Sequence, residues 1–252
     1  MQNWKGRLRA SGIHLGISLC IAALSAALVF GLWYPYPYLE ISGGRELFFL
    51  VVTVDVIMGP LITLAIFNRA KPRRELLMDF TVVGLLQLAA LGYGLWTVFA
   101  ARPVHLVFEY SRMSVVHAIE VDADLLAKAP PGLQKLPLTG PTVIALRPFK
   151  NPAEEFDATM AALNGVSLAA RSDLWHAYEA ARAEVLKEAK PAVDLRARFP
   201  NQAAKIDQAI AATGRPVTDL RYLPLLGRKT AWTVLIDAIT AEPLGFLPLD
   251  SF

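Results

Sequence analysis

Cysteine is all but missing: this 252-residue chain has one, Cys20, so no intrachain disulfide can form and no thiolate cluster can hold a metal. Histidine is scarce too, with four in all and no His-Glu-x-x-His among them. A glycine-rich dinucleotide loop and a nucleophile elbow are also lacking, which removes the commonest signatures of a catalytic centre. The closest approach to a phosphate loop is "LLGRKT", Leu225 to Thr230. There Arg228 separates Gly227 from Lys229 and the earlier glycine is missing, so the segment reads as a hairpin turn. Charge is sparse at 19% of residues, against 54% hydrophobic residues and a mean hydropathy of +0.40. That balance is unusual for a purely soluble chain and makes membrane insertion the first expectation.

The apolar residues crowd into three runs, near 13–34, 47–67 and 80–100, each close to the ~20 helical residues that span a bilayer. Beyond Arg102 the composition is that of a soluble domain of ordinary size. The expected fold is therefore a membrane α-helical module of three transmembrane helices, residues 1–102, followed by a soluble α+β domain, residues 103–252, with a largely antiparallel sheet. The first run has a basic start and small residues at Ser25, Ala26 and Ala27, as in a signal peptide. It then continues through Val29, Phe30 and Leu32 with no polar cleavage region and is read as a retained helix. Cys20 within it reads as a small buried hydrophobe.

Lys5, Arg7 and Arg9 precede the first run, and Arg69, Lys71, Arg73 and Arg74 lie between the second and third, which marks both segments as cytoplasmic. The intervening loop, "YPYPYLEISGGRE", has only Arg45 against Glu40 and Glu46, and Trp33, Tyr34 and Tyr36 suit a membrane–water interface. Three crossings then carry the C-terminal domain to the outer side, the periplasm of a two-membrane bacterium. Much of the net charge of +3 is this topology signal, so no nucleic-acid partner is expected.

The second run carries Asp55, Gly59 and Pro60. Asp55 lies about eight residues into its helix, roughly 12 Å deep at 1.5 Å per residue, where an acid costs about 2.5–3.5 kcal/mol on insertion scales. It must be neutral, paired or turned toward the bundle interior. Pro60 cannot donate to the carbonyl of Val56 and tends to kink the helix, while Gly59 lets another helix approach. Two readings stay open: a docking or proton-linked site, or an internal strut in which Asp55 meets Gln87, Thr53 or His14. Gln87 and His14 themselves read as contacts between neighbouring helices, and Asp79 as an N-terminal cap of the third helix.

In order and spacing, "GIHLGISL", "WYPYPYLEISGG", "VDVIMGPLITLAIF", "KPRRELLMDFTVVGLLQLAALGYGLW" and "RPVHLVF" resemble the TfpX/TfpZ family of type IV pilin accessory proteins, over about residues 11–110. The matched positions are His14, Trp33, Tyr34, Pro35, Gly43, Gly44, Asp55, Gly59, Pro60, Asp79, Gln87, Arg102 and Pro103; the family supplies their pattern and no roles. The resemblance implies a non-enzymatic inner-membrane protein that assists or modulates pilus assembly by binding the major pilin. Further expected partners are other inner-membrane pilus assembly proteins and the lipid bilayer, with no cofactor. The alternative is a proton-linked membrane component or small transporter in which Asp55 cycles its charge, although a single deep acid on three helices makes a poor pathway.

In the C-terminal domain, period-two alternation over Val104 to Tyr110 and a second run, Met113 to Val121, predict a hairpin near Ser111. Another extended run occupies 142–149. Helices are expected over 152–164, 172–189 and 201–213, then strands in "LRYLPLLG", "TAWTVLIDAIT" and "EPLGFLPLD". The hairpin would set His105 opposite His117 with Glu109 on the same face, and His176 and Glu179 would share a helix face. Neither pair makes a closed metal site, and none is expected.

Overall fold

The computed structural model describes residues 2–68 and 71–252; Arg69, one of the basic residues counted above, lies outside the described residues. The chain divides into two compact units, Met1–Leu39 with Gly43–Ala101 and Glu40–Ser42 with Arg102–Phe252.

In the first unit α1, Gln2–Leu28, continues as a π-helical turn, Val29–Trp33. A single turn, α2 (Tyr38–Ile41), which the division of the chain splits after Leu39, precedes α3, Gly44–Ile66, and α4, Arg73–Ala100. Gly43 leads into α3 with φ of +70°, a left-handed conformation in which a Cβ would be strained. Pro72 stands at the start of α4, where a missing N–H costs nothing, and so the helix begins well before Asp79. Asp79 is thus inside α4 rather than its cap, and its carboxylate accepts from Lys71 Nζ at 2.6 Å. The three long helices are long and apolar enough to cross a membrane. Their outer surfaces are bare hydrocarbon, with Leu24 72%, Leu50 67% and Leu86 67% exposed. Cys20, expected to be buried, is exposed on this surface as well, which suits a small apolar side chain facing lipid.

In this bundle α3 is the middle helix: it packs against both α1 and α4, which scarcely touch each other. Close approach is bought with glycine: the Cα of Gly94 meets the side chain of Val51, and that of Gly44 meets the ring of Tyr34. At one end Val29, Tyr34, Phe48 and Val98 form a buried cluster.

The second unit is built on a mixed, mostly antiparallel sheet. Its strands are β1 (Pro103–Glu109), β2 (Arg112–His117), β3 (Thr142–Leu146), β4 (Trp175–Ala177), β5 (Lys190–Pro191), β6 (Leu220–Leu226), β7 (Ala231–Asp237) and β8 (Pro243–Leu247). Their order is β4-β3-β1-β2-β6-β7-β8, with β5 paired to β6. Only β1–β3 and β2–β6 are parallel pairs. Three apolar helices followed by a soluble domain with this sheet is the fold class that composition and periodicity point to. The helices are α5 (Ala123–Leu126), α6 (Pro152–Leu163), α7 (Arg182–Glu188), α8 (Asp194–Arg198) and α9 (Ala203–Ala212). At the start of α6, Asn151 accepts from the Glu154 N–H at 2.9 Å.

Two expected elements of this unit come out differently. The run from Met113 stays in the sheet only to His117 and then turns into a 3-10 segment, Ala118–Glu120. The expected helix over 172–189 breaks into 3-10 turns around β4, with α7 forming only its last part. Leu174, Trp175, Tyr178 and Val185 are all buried, as an apolar helix face would be, but pairing of β4 with the edge of β3 extends the chain between them. One core gathers Val104, Ile144, Leu146, Leu174 and Trp175; the other gathers Leu195, Ile206, Tyr222 and Leu235.

Candidate functional site

Ser11, His14 and Ser18 recur on α1 at helical spacing, and Asp55, Gly59, Pro60 and Thr63 do so on α3, so each set lies along one stripe. The two stripes meet. Ser11 Oγ donates to the Pro60 carbonyl at 2.9 Å, and His14 Nδ1 and Thr63 Oγ1 share a hydrogen bond of 2.6 Å. From α4, Gln87 Nε2 donates to the Asp55 carbonyl at 3.2 Å, and its amide lies against the Cα of Gly59. α3 runs through Pro60 as helix.

One oxygen of the Asp55 carboxylate is left over. This Oδ1 is buried with no hydrogen-bond partner among the described residues. Of the helix contacts expected at Asp55, Gln87 reaches its backbone and not its side chain, and the hydrogen bond of His14 goes to Thr63. The reason is geometric, since the helix carbonyl has a spare lone pair within reach of Gln87.

Where α1 and α4 part, the unit is hollow. A crevice of about 220 Å³ is lined by His14, Ser18, Asp55, Gly84 and Gln87. A wider one of about 610 Å³, lined by Arg9, Ala10, Ile13, His14, Phe80 and Gly84, involves the same two helices. A third, about 270 Å³ and almost wholly apolar, lies between α3 and α4 and again includes Asp55. Gly84 leaves its surroundings open, since a Cβ there would meet nothing within 4 Å.

Of the residues assigned to the interface, Tyr36 is 77% exposed, and Trp33 stacks at a tilt on Phe99 with centroids 5.0 Å apart. Tyr34 has no exposed surface; its hydroxyl donates to the Val98 carbonyl at 3.0 Å and holds the end of the bundle. Ser11, Ser18 and Thr63 escaped the sequence reading. The signal available was the three- and four-residue spacing that sets them on the stripes of His14 and Asp55.

The histidine pairs do not form. With a register shift between Pro103 and His105, His105 pairs with Val116 and His117 with Pro103. His105 Nδ1 instead meets Thr142 Oγ1 at 2.8 Å, and its ring packs edge-on to Trp175 at 4.6 Å. Burial pushes the His105 imidazole down to about 4, against a smaller opposing effect of Thr142. His117 Nδ1 lies 3.3 Å from Glu120, and Glu109 accepts from Ser114 and Arg112. His176 is in β4 and Glu179 in a 3-10 turn, so they share no helix face. No cluster of three or more potential metal ligands occurs among the described residues.

Residues 2–43 match the profile of a family described as fimbrial assembly protein FimB. Over 231 residues, 91% of this chain and 90% of the relative, the chain is 34% identical to the fimbrial assembly protein of serogroup I from Dichelobacter nodosus. Over the same shares it is 32% identical to the serogroup E1 protein of that organism. The protein of serogroups C1 and C2 is 40% identical over 121 residues, 48% of this chain and 92% of the relative. No solved structure matches. Similarity of this extent, running through both units, places the chain in the fimbrial assembly protein family.

Proposed function

We propose that this protein is an inner-membrane factor of type IV pilus assembly that acts by holding the major pilin, without catalysis. The names of its relatives support the assembly role, and the resemblance of residues 11–110 to the TfpX/TfpZ accessory proteins supports the pilin as partner. In this reading the N-terminus is cytoplasmic and the C-terminal unit periplasmic, a layout that the Lys and Arg bias of the connecting segments supports. A pilin before assembly has the same layout, one apolar helix in the inner membrane with its head outside, so two contacts on one partner become linked and the second is effectively intramolecular.

The observation that carries the reading is the crevice between α1 and α4 whose lining includes Asp55, together with a buried Asp55 Oδ1 that has no hydrogen-bond partner among the described residues. Two helices flanking a third leave a trough that a fourth helix fills, and Gly84 opens its wall. A polar group on the incoming helix supplies the partner that Asp55 lacks, a contact of about 0.6–2 kcal/mol in lipid. The test places a photo-crosslinking residue at Ile17 or Leu88, on the two walls. The expected result is an adduct with the pilin that falls about tenfold in Asp55→Leu, together with fewer pili at normal expression. If Asp55→Leu and Asp55→Asn leave pilin capture and pilus number unchanged, the site is wrong. Asp55-dependent proton flux in vesicles, with capture unchanged, would transfer the carboxylate to a transport role.

A further inference from the structure

One cavity of the soluble unit has no part in the reading above. It measures about 290 Å³ and opens at the end of the β1–β2 hairpin, beside α7. The sheet register builds one side of it. Phe108 pairs with Ala145 and Ala145 with His176, so Phe108 and His176 occupy one row across three strands, two strand spacings or about 10 Å apart. Two residues beyond Phe108, Tyr110 takes a φ of +58°, a left-handed conformation that costs a non-glycine residue about 1–2 kcal/mol. That conformation turns the hairpin tip so that the Tyr110 ring leans on Phe149, with centroids 5.8 Å apart, while still lining the cavity.

The other side is charged. Glu184 and Glu188 are one turn apart on α7, both exposed and both on the cavity wall, with Lys187 beside them. No ion pair links Lys187 to either carboxylate, and none neutralises them from elsewhere among the described residues, whereas Glu154, Asp173 and Glu109 nearby are all paired. His176 Nε2 is buried without a hydrogen-bond partner. The cavity therefore presents an aromatic wall and two free carboxylates outweighing one ammonium, with the His176 ring in its lining. A divalent metal is not what this set fits, because the three side chains do not group as metal ligands.

We propose that this cavity receives a single cationic side chain, arginine or lysine, presented by a partner protein. The methylene stem lies against Phe108, Pro148 and the face of Tyr110, where a cation–π contact adds to apolar burial. The charged head sits between Glu184 and Glu188, a charge-assisted arrangement, and the His176 ring in the same lining reports its arrival. Its volume is at the small end for ligand sites, which suits one side chain and not a longer peptide segment. The site does not depend on the crevice around Asp55, and its test does not involve pili.

The experiment uses the full chain in detergent micelles, with histidine ring carbons isotope-labelled and the His176 signal assigned from His176→Asn. The probe is acetyl-Gly-Arg-Gly-amide, compared with the same peptide carrying Lys, Gln or Glu in place of Arg. The Arg and Lys peptides should move the His176 signal saturably, the Gln and Glu peptides should not, and added salt should weaken the effect. In the double variant Glu184→Gln, Glu188→Gln, whose exposed positions leave the fold alone, the apparent Kd should rise at least ~5-fold. Equal response to the Gln peptide, unchanged Kd in the double variant, or a response to calcium chloride with none to the peptides would each overturn the proposal.

Discussion

Ser11, Gln87 and Tyr34 each donate to a backbone carbonyl on another segment of the membrane unit, whereas Arg112, Arg147 and Arg171 in the soluble unit each meet a carboxylate side chain. The Arg147–Glu154 and Arg171–Asp173 pairs are bidentate, and the Arg147 guanidinium holds the Glu154 carboxyl down at about 2. Solvent explains the difference. In lipid the helices satisfy their own backbone, so a neutral side chain that takes the spare lone pair of a carbonyl joins two helices without burying a charge. In water a charged pair costs little to form and fixes loop geometry more than it stabilises. Against that background Asp55 Oδ1 stands out in the membrane unit as a buried oxygen with no partner among the described residues, while in the soluble unit Glu184 and Glu188 differ from the bidentate pairs in lining a cavity without an ion pair.

If the units are held by different forces, damage in one should stay there. The largest effect is expected from Trp175→Ala, since Trp175 has no exposed surface and its Nε1 donates to the Ala169 carbonyl at 2.8 Å. A loss of about 3–5 kcal/mol is expected, read as faster hydrogen exchange of β1 and β3 in the full chain. Exchange in α1, α3 and α4 should not change; equal loosening of the spans would dissolve the distinction.

Acid should act on the same core with a somewhat smaller effect. The His105 imidazole titrates near 6.5 when unfolded and about 4 when folded, so between those values the unfolded chain binds the extra proton. Its contribution is full above pH 6.5 and is lost as pH falls through about 4, reaching about 3 kcal/mol by linkage. His105→Gln should flatten the pH dependence of soluble-unit exchange over that window. An unchanged slope would show that another group controls it.

Gly59→Ala should have the smallest effect and only on the other side of the comparison. A Cβ at this position meets the Gln87 amide, so α3 and α4 must separate or Gln87 must leave the Asp55 carbonyl. About 1–3 kcal/mol is expected from overpacking, seen as a lower SDS midpoint for unfolding of the bundle with soluble-unit exchange unaffected. No change in the midpoint would mean that Gln87 yields freely and that the α3–α4 contact does not rest on this glycine.

Much of the fold is legible in the chain. The apolar runs reveal the three long helices, and Asn151 and Gly214 punctuate α6 and α9, the latter with φ of +67° just after the helix. Asp55, Gly59 and Gln87 stand out as polar or small positions in apolar runs. Their partners do not, because a hydrogen bond from Ser11 to the Pro60 carbonyl spans 49 residues and involves a backbone atom that every residue possesses. The segment 172–189 misleads for a related reason: burial at Leu174, Trp175, Tyr178 and Val185 has helical spacing, and only the edge of β3 makes it a strand.

Composition and spacing alone thus determined that the chain has a lipid-soluble part and a water-soluble part, and that an acid lies deep in the former. Hydrophobicity and periodicity are local properties, written residue by residue. Tertiary structure decided which polar groups found partners: it gave the Asp55 carbonyl to Gln87, left Asp55 Oδ1 buried without one among the described residues, and set His176 in one cavity lining with two unpaired glutamates. Those outcomes depend on distances of a few ångströms between residues far apart in the chain, and no local property encodes them.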